Sequence, residues 1–305
     1  MKNQEFNETV TLKAGHGSYA LLTAAFNEEV YIEETIKSVL AQLILPSIWV
    51  IVSDGSTDRT DEIVQRYAMN YSFIRFLRRN KDQNRSFASK VLALRAGLQS
   101  LAVGESQFIA HLDADISLDP FYFRELLKKF DEDPRLGIAG GWYIEKIGGK
   151  FRLSSGSSPT SVPGAIQMFR RECYEDIGGL LPIEYGGEDW YAEIMARKCG
   201  WRVRSFSELR ARHLRAIGGA GSTLRYCYRQ GFADFCLGSH PMFELVKVAR
   251  RIAWRPYVLG ALARLLGFFM AHIYGKRMVP PEFVAFLRKE QTARFFSDPI
   301  VGSRG

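Results

Sequence analysis

Four short apolar runs, each followed by a turn and then by helical spacing, restrict the fold of this chain more than any other feature. Tyr19–Phe26, Ile48–Ser53, Phe73–Leu77 and Phe108–Leu112 read as buried strands. Between them, Glu28–Gln42, Thr57–Met69 and Ser86–Ala102 place apolar residues three and four apart, the pattern of helices with one buried stripe. Strands alternating with helices predict a parallel, doubly wound α/β sheet. Ligands of such sheets bind beyond the carboxyl ends of the strands, so the informative residues are those just after each strand. Further along, Asp119–Phe130 and Asp189–Cys199 read as helices, and Gly137–Tyr143, Ala165–Phe169 and Val203–Phe206 as strands. Gly148–Pro163, rich in Gly and Ser, reads as a mobile loop. The expected organisation is a polar lead-in over 1–17, an α/β domain over 18–221 and a basic helical region over 222–305.

Charge divides the chain unevenly. The net charge of +8 admits nucleic acid, an anionic membrane or a phosphate-bearing small molecule as partner. Residues 1–200 hold 23 basic and 27 acidic side chains, whereas residues 201–305 hold 18 basic and 6 acidic. The surplus therefore lies in the C-terminal third, away from the strand-end loops. The start, MKNQEFNETVTLKAGHGS, contains no apolar run, and the four cysteines form no Cys-x-x-Cys pair. A cytoplasmic protein with reduced thiols and no structural zinc is expected.

The strand-end loops are acidic. Asp54, in Ser53-Asp54-Gly55-Ser56-Thr57-Asp58, either begins a helix cap or hydrogen-bonds a nucleoside. Asp113 and Asp115, in His111-Leu112-Asp113-Ala114-Asp115-Ile116, either form a turn or face a divalent cation, for which hard oxygen ligands suit Mg²⁺ or Mn²⁺. Glu188 and Asp189, after Gly186-Gly187, either complement a helix dipole or supply a general base, and Trp190 beside them is a stacking surface or core. Lys90, on an apolar helix face, snorkels or reaches a phosphate. His213, set among arginines, is structural or a metal ligand. A dinucleotide Gly-x-Gly-x-x-Gly after the first strand, a Walker A sequence and a Gly-x-Ser-x-Gly elbow after a strand are all missing.

Taken in order, TAAFNEEVYIEETIKSVLAQ (23–42), IVSDGSTDRT (51–60), HLDADISL (111–118), GAIQMFRRECYEDIGGL (164–180) and GGEDWYAEIMARKCGWRV (186–203) resemble glycosyltransferase family 2, inverting enzymes with the GT-A fold. LDADISLDPFYFRELLKKF and the C-terminal region are similar to bacterial transferases of exopolysaccharide or cell-surface polysaccharide assembly. The resemblance implies a Rossmann-like, mainly parallel sheet between helices, and a nucleoside-diphosphate sugar, UDP-sugar by preference, as donor. It implies that Ala25 and Glu28 lie along base and ribose, that Asp54 contacts the base, and that Asp113 lies by the ribose or diphosphate. Asp115 and His213 would bind the metal, Lys90 would approach the nucleotide, and Asp189 would be the base, with Glu188 and Trp190 toward the acceptor. Ser89 stands where the Lys90 run of processive synthases has glycine, and no Gln-x-x-Arg-Trp follows Asp189, since Arg229-Gln230-Gly231-Phe232 does not match. A transferase that adds one sugar and releases its product is expected. A sugar nucleotidyltransferase, which would release pyrophosphate, and a non-catalytic membrane-associated binding protein are the alternatives.

In the C-terminal third, Lys247, Arg250, Arg251 and Arg255 recur at helical spacing beside Leu245, Val246, Val248, Ala249 and Ile252, predicting a basic amphipathic helix for an anionic bilayer surface. Tyr257–Gly275 has only Arg264 and His272 as polar residues and approaches the ~20 residues needed to span a bilayer. A central Arg264 would cost about 2.5–3.5 kcal/mol on insertion scales, so a helix or helical hairpin lying in or on the membrane is expected in preference to a true span, with a core helix packed on the α/β domain as the third reading. The expected location is the inner face of the cell membrane, where a saccharide or lipid-linked acceptor would be met. Leu, Phe and Met beside the arginines, with no nucleic-acid-binding signature, argue against nucleic acid.

Overall fold

The computed structural model describes residues 17–80, 87–101, 106–147, 150–153, 158–215, 223–253 and 256–297. The apolar runs become β1 (Tyr19–Ala25), β2 (Ile48–Asp54), β3 (Ile74–Arg79) and β4 (Phe108–His111). β1 pairs in parallel with β2 and β4, and β2 with β3. Parallel strands are covered on both faces, which is why β1 and β2 are apolar almost without interruption. The crossovers are α1 (Ile32–Leu40), α2 (Thr60–Asn70) and α3 (Phe87–Gln99). Successive residues of β1 point to opposite faces. Tyr19 and Leu21 pack with Ile32, Ile36 and Val39 of α1 and Val64 of α2, whereas Ala20 and Leu22 pack with Val91 and Leu94 of α3. The result is a sheet between two helical layers. The chain leaves β1 for β2 on one side and returns to β4 on the other, which opens a crevice at their carboxyl ends.

Beyond β4 the mainly parallel sheet takes on antiparallel strands. The remaining elements of the body are β5 (Ile116–Leu118), α4 (Tyr122–Glu132), β6 (Leu136–Ile147), β7 (Lys150–Leu153), β8 (Met168–Arg170), α5 (Arg171–Asp176), α6 (Glu188–Lys198) and β9 (Arg202–His213). Strand order is β3-β2-β1-β4-β8-β6-β9-β5, with β7 on β6. β8 runs antiparallel to β4 and β6, β9 is parallel to β6, and β5 is antiparallel to β9. Part of the expected mobile loop, Lys150–Leu153, is thus a strand, because β6 extends far enough to pair with it. The expected lead-in falls almost wholly outside the described residues, as do Arg255 and the boundary at 221/222.

Four helices follow: α7 (Thr223–Cys236), α8 (Pro241–Arg251), α9 (Tyr257–Tyr274) and α10 (Pro281–Ser297). Phe283, Val284 and Leu287 of α10 pack with Tyr191 and Ile194 of α6, anchoring this region to the body. α7 and α9 meet at Gly231 and Gly267, where a Cβ on either would sit 1.9 Å from a backbone carbonyl oxygen of the other helix. The basic face expected on α8 is corrected. Lys247 turns inward to Asp234 (2.9 Å) and Arg251 donates to the Cys227 sulfur (3.2 Å), while Met242, Leu245 and Ile252 are exposed. Arg264, in the middle of α9, is buried against Glu244 (2.7 Å) and Gln230 (2.9 Å) and pairs with Asp234.

Candidate functional site

The loops after β1, β2 and β4 are tied together before any ligand is considered. Asn27 adopts a left-handed backbone (φ 55°), and its side-chain oxygen accepts from the Thr57 N–H at 2.8 Å. The Glu28 N–H donates to the Thr60 hydroxyl at 2.8 Å. These bonds fix Glu28 just beyond the buried end of β1 at Ala25. Asp54, buried at the end of β2, accepts from Arg79 at 2.8 Å and from the Ser89 hydroxyl. Ser89, the departure from the glycine of the family pattern, therefore holds the Asp54 carboxylate, one residue before Lys90.

Asp113 and Asp115 are separated by one residue and face different partners. Asp113 forms an ion pair with Lys90 at 2.6 Å. Burial alone would lower the Lys90 ammonium, but the charges of Asp113, Glu188 and Asp189 together raise it, so it stays a cation. Asp115 instead accepts from Arg215 at 3.0 Å, and Arg215 also pairs with Glu28 and lies over the Tyr31 ring. Sequence reasoning noted Arg215 only as a neighbour of His213. Its partner Glu28 lies 187 positions away in sequence, so no local pattern could signal the pairing.

β9 is longer than the expected Val203–Phe206, and its extension delivers His213 to the site. His213 Nδ1 lies 2.5 Å from the Arg215 carbonyl oxygen, and a carbonyl only accepts, so Nδ1 carries the proton. Nε2 lies 3.8 Å from a carboxylate oxygen of Asp115. Groups of three or more His, Cys, Asp or Glu that could hold an ion do not occur among the described residues. Asp115, already paired with Arg215, and His213 would be the two protein donors to an ion of the Mg²⁺ or Mn²⁺ kind, for which oxygen and imidazole donors suit.

Asp189 reaches the same crevice from the other side. Gly186 and Gly187 (φ 90° and 94°) make the turn that only glycine adopts easily, and Gly187 begins α6. The Asp189 carboxylate accepts from the Gly164 N–H at 3.1 Å and the Trp190 N–H at 2.8 Å. A Cβ on Gly164 would sit 2.8 Å from the Asp189 side chain, so glycine is required for that approach. Behind it, buried Glu193 accepts from the Val162 N–H at 2.6 Å and the Ser161 hydroxyl at 3.0 Å, holding the 158–164 segment. Burial pushes Glu193 up to about 8. Burial and the Asp189 charge push Glu188 up to about 7, against the pull of Lys90. Glu188, Asp189 and Trp190 open onto a cavity of about 550 Å³ closed by Tyr226, Phe243 and Lys247 of the C-terminal helices. Lys247 lies over the Trp190 ring (5.6 Å), so Trp190 joins body to helices as well as lining the cavity.

A carboxylate-lined crevice at the switch of a mainly parallel α/β sheet, with further helices behind it, is the arrangement of a GT-A type fold. Solved structures agree on the fold. A mannosyltransferase from Pyrobaculum calidifontis in complex with GDP-Man and Mn²⁺ superposes with TM-score 0.56 at 16% identity, covering 93% of this chain and 82% of that one. GalNAc-T7 with UDP, GalNAc and Mn²⁺ gives 0.58 at 12% identity, covering 87% and 56%. Residues 21–181 match the profile of glycosyl transferase family 2, and the chain belongs to that family. Among curated proteins, the poly-beta-1,6-N-acetyl-D-glucosamine synthase of Staphylococcus epidermidis is 25% identical over 230 residues, 68% of this chain and 51% of that protein. The Staphylococcus aureus synthase is 32% identical over 123 residues, 39% of this chain and 27% of that protein. The match thus spans about half the length of the first of these relatives and about a quarter of the second.

Proposed function

We propose that this protein transfers one sugar, with inversion, from a nucleoside-diphosphate sugar to a hydroxyl of a saccharide or lipid-linked acceptor in surface-polysaccharide assembly. The observation that carries the reading is the placement of Asp189. Its carboxylate is fixed by two backbone N–H groups between the Asp113–Lys90 pair on one side and the 550 Å³ cavity on the other. The donor occupies the crevice, with its base and ribose along Ala25, Glu28 and Asp54 and its diphosphate toward Lys90, Asp113 and Arg215. A UDP-sugar is the default donor of the family. Asp115 and His213 hold a divalent ion, which when bound supplies Lewis-acid stabilisation of the leaving diphosphate.

The acceptor enters the cavity beside Glu188 and Trp190. Asp189 takes the proton of its hydroxyl as that oxygen bonds to the anomeric carbon and the bond from this carbon to the phosphate oxygen breaks, releasing the nucleoside diphosphate. Attack from the face opposite the leaving group inverts the configuration. Lys90 and Arg215 face the negative charge that develops, and fixed charges at that point lower the barrier. The enzyme works in the cytoplasm at the inner face of the cell membrane, where the basic third meets anionic lipid. The cavity wall on α7 carries Arg229 and Gln230 in place of Gln-x-x-Arg-Trp, which supports single additions.

The test is a screen of nucleotide sugars with Mn²⁺, followed by lipid-linked saccharide acceptors, with products weighed by mass spectrometry. Release of nucleoside diphosphate with an acceptor one sugar heavier is expected. Pyrophosphate release would indicate a nucleotidyltransferase, donor binding without turnover a binding protein, and a ladder of products a polymerase.

A further inference from the structure

α9 has two faces of opposite character. Gly260, Ala261, Arg264, Gly267, Phe268 and Ala271 are buried, at spacings that form one stripe. That stripe is locked: its glycine packs on the α7 backbone, and Arg264 is bound by Glu244, Gln230 and Asp234. On the other side Val258, Leu259, Leu262, Leu266, Phe269 and Ile273 are each more than half exposed. α8 adds Met242, Leu245 and Ile252, exposed at spacings of three and seven. Contiguous apolar surface of this kind marks a face that water does not cover.

The charges beside it indicate what does. Arg250 at the end of α8 and Lys276 just beyond α9 are exposed cations flanking the apolar residues, and Arg277, also exposed, lies over the Phe235 ring of α7 (5.8 Å). Glu244, the acidic residue of α8, is buried with Arg264. Apolar residues edged by cations fit an anionic lipid surface, with side chains among the acyl ends and ammonium and guanidinium groups at the headgroups. α9 is the one helix among the described residues long and apolar enough to cross a bilayer. Crossing would carry the whole α7–α9 contact, with Asp234, Glu244 and Arg264, into hydrocarbon, whereas lying in plane leaves that contact undisturbed.

We infer that α8 and α9 dock the protein onto an anionic bilayer, with α9 in the plane of the interface, Leu262, Leu266 and Phe269 downward and Arg264 upward. One helix, about 10 Å across, then separates the lipid from the cavity that Arg264 lines. The consequence for the acceptor, a saccharide held at the lipid surface, rests on the transferase reading; the docking itself does not.

The experiment is co-sedimentation of the full chain with vesicles of phosphatidylcholine alone and of phosphatidylcholine with 30% phosphatidylglycerol, without nucleotide. Binding at least tenfold tighter to the anionic vesicles is expected, as is release by alkaline carbonate. The double variant Leu262→Glu/Leu266→Glu should lose tenfold or more, and Lys276→Glu/Arg277→Glu should lose the preference for anionic lipid, both with unchanged circular dichroism and unchanged thermal shift with Mn²⁺ and UDP. Equal binding to both vesicles with resistance to carbonate would show a spanning helix and overturn the inference. So would no vesicle binding together with a dimer in analytical ultracentrifugation that Leu262→Glu/Leu266→Glu dissociates, which would make a second copy the cover. Loss of sugar transfer with vesicle binding intact would sink the transferase reading alone.

Discussion

In the α/β body, Leu21, Ile51 and Leu94 lie inside, and buried carboxylates such as Glu28, Asp54 and Asp115 gather where strands end. In the C-terminal helices, Arg264 and Glu244 lie inside, while Leu262, Leu266 and Phe269 face outward. The body follows the rule for a protein in water, with buried charge confined to a site. The helices reverse it over one face, as the proposed contact with lipid would require. Both regions meet at Trp190 and the cavity beside Asp189, so the proposed chemistry lies at the seam of the two regions.

The sharpest way to break this division is at Asp189. Asp189→Asn keeps an acceptor for the Gly164 N–H and removes the base. We expect kcat to fall by about 10²–10⁴-fold with donor affinity unchanged in calorimetry. Near-normal turnover would move the base elsewhere, for instance to Glu188. Next in size is His213→Ala, which removes one of the two proposed ion donors and leaves the fold of β9 intact. Mn²⁺-dependent donor binding should weaken by at least about 10–100-fold. Unchanged Mn²⁺ dependence would show that His213 serves only to fix Arg215 through its carbonyl. Smaller again is Gly267→Ala on α9. Its Cβ would meet the Tyr228 carbonyl oxygen, so α7 and α9 must separate, at a cost of about 1–3 kcal/mol. A lowered Tm with unaltered donor affinity would make the two regions energetically separate. Loss of donor binding would show that the helices also hold the crevice.

Most of the body is legible from the sequence because β1, β2 and β4 are buried on both faces and must be continuously apolar. The loops that follow them then point to Asp54, Asp113 and Asp115 by position, whereas Glu28 is singled out only by the resemblance to glycosyltransferase family 2. The other half of the sheet hides for a different reason. β9 ends in Ser207-Glu208-Leu209-Arg210-Ala211-Arg212-His213, whose alternation is that of a strand exposed on one face, but the charges read as a basic cluster. β5 is three residues long and pairs only through β9. Ser89 and Arg215 act across the fold on Asp54 and Glu28, which no local pattern encodes. On α8 helical spacing correctly groups Lys247 with Arg251, yet spacing tells which residues share a face and not which face turns to water. Asp234 and Cys227 decide that, and both belong to another helix.

Glu193 tests the seam by pH. It lies on α6, buried against the 158–164 segment whose Gly164 N–H holds Asp189, and burial raises its carboxyl to about 8. The unfolded chain releases this proton near the ordinary glutamate value of about 4.3, so between that pH and about 8 the folded state binds more protons than the unfolded one. Stability from this group is therefore complete below the unfolded value and is lost as pH rises toward 8, at up to about 1.4 kcal/mol per pH unit. Glu193→Gln keeps an acceptor oxygen for the Val162 N–H and Ser161 hydroxyl and cannot ionise. Its Tm should stay flatter than that of the parent from pH 5 to 8, measured by calorimetry, with the largest gain at the alkaline end. If parent and variant fall together, the loss belongs to another buried carboxyl. Glu244, raised to about 7 by burial and Asp234 against the pull of Lys247 and Arg264, would then be the group to replace, and the pH-sensitive joint would lie among the C-terminal helices instead of under Asp189.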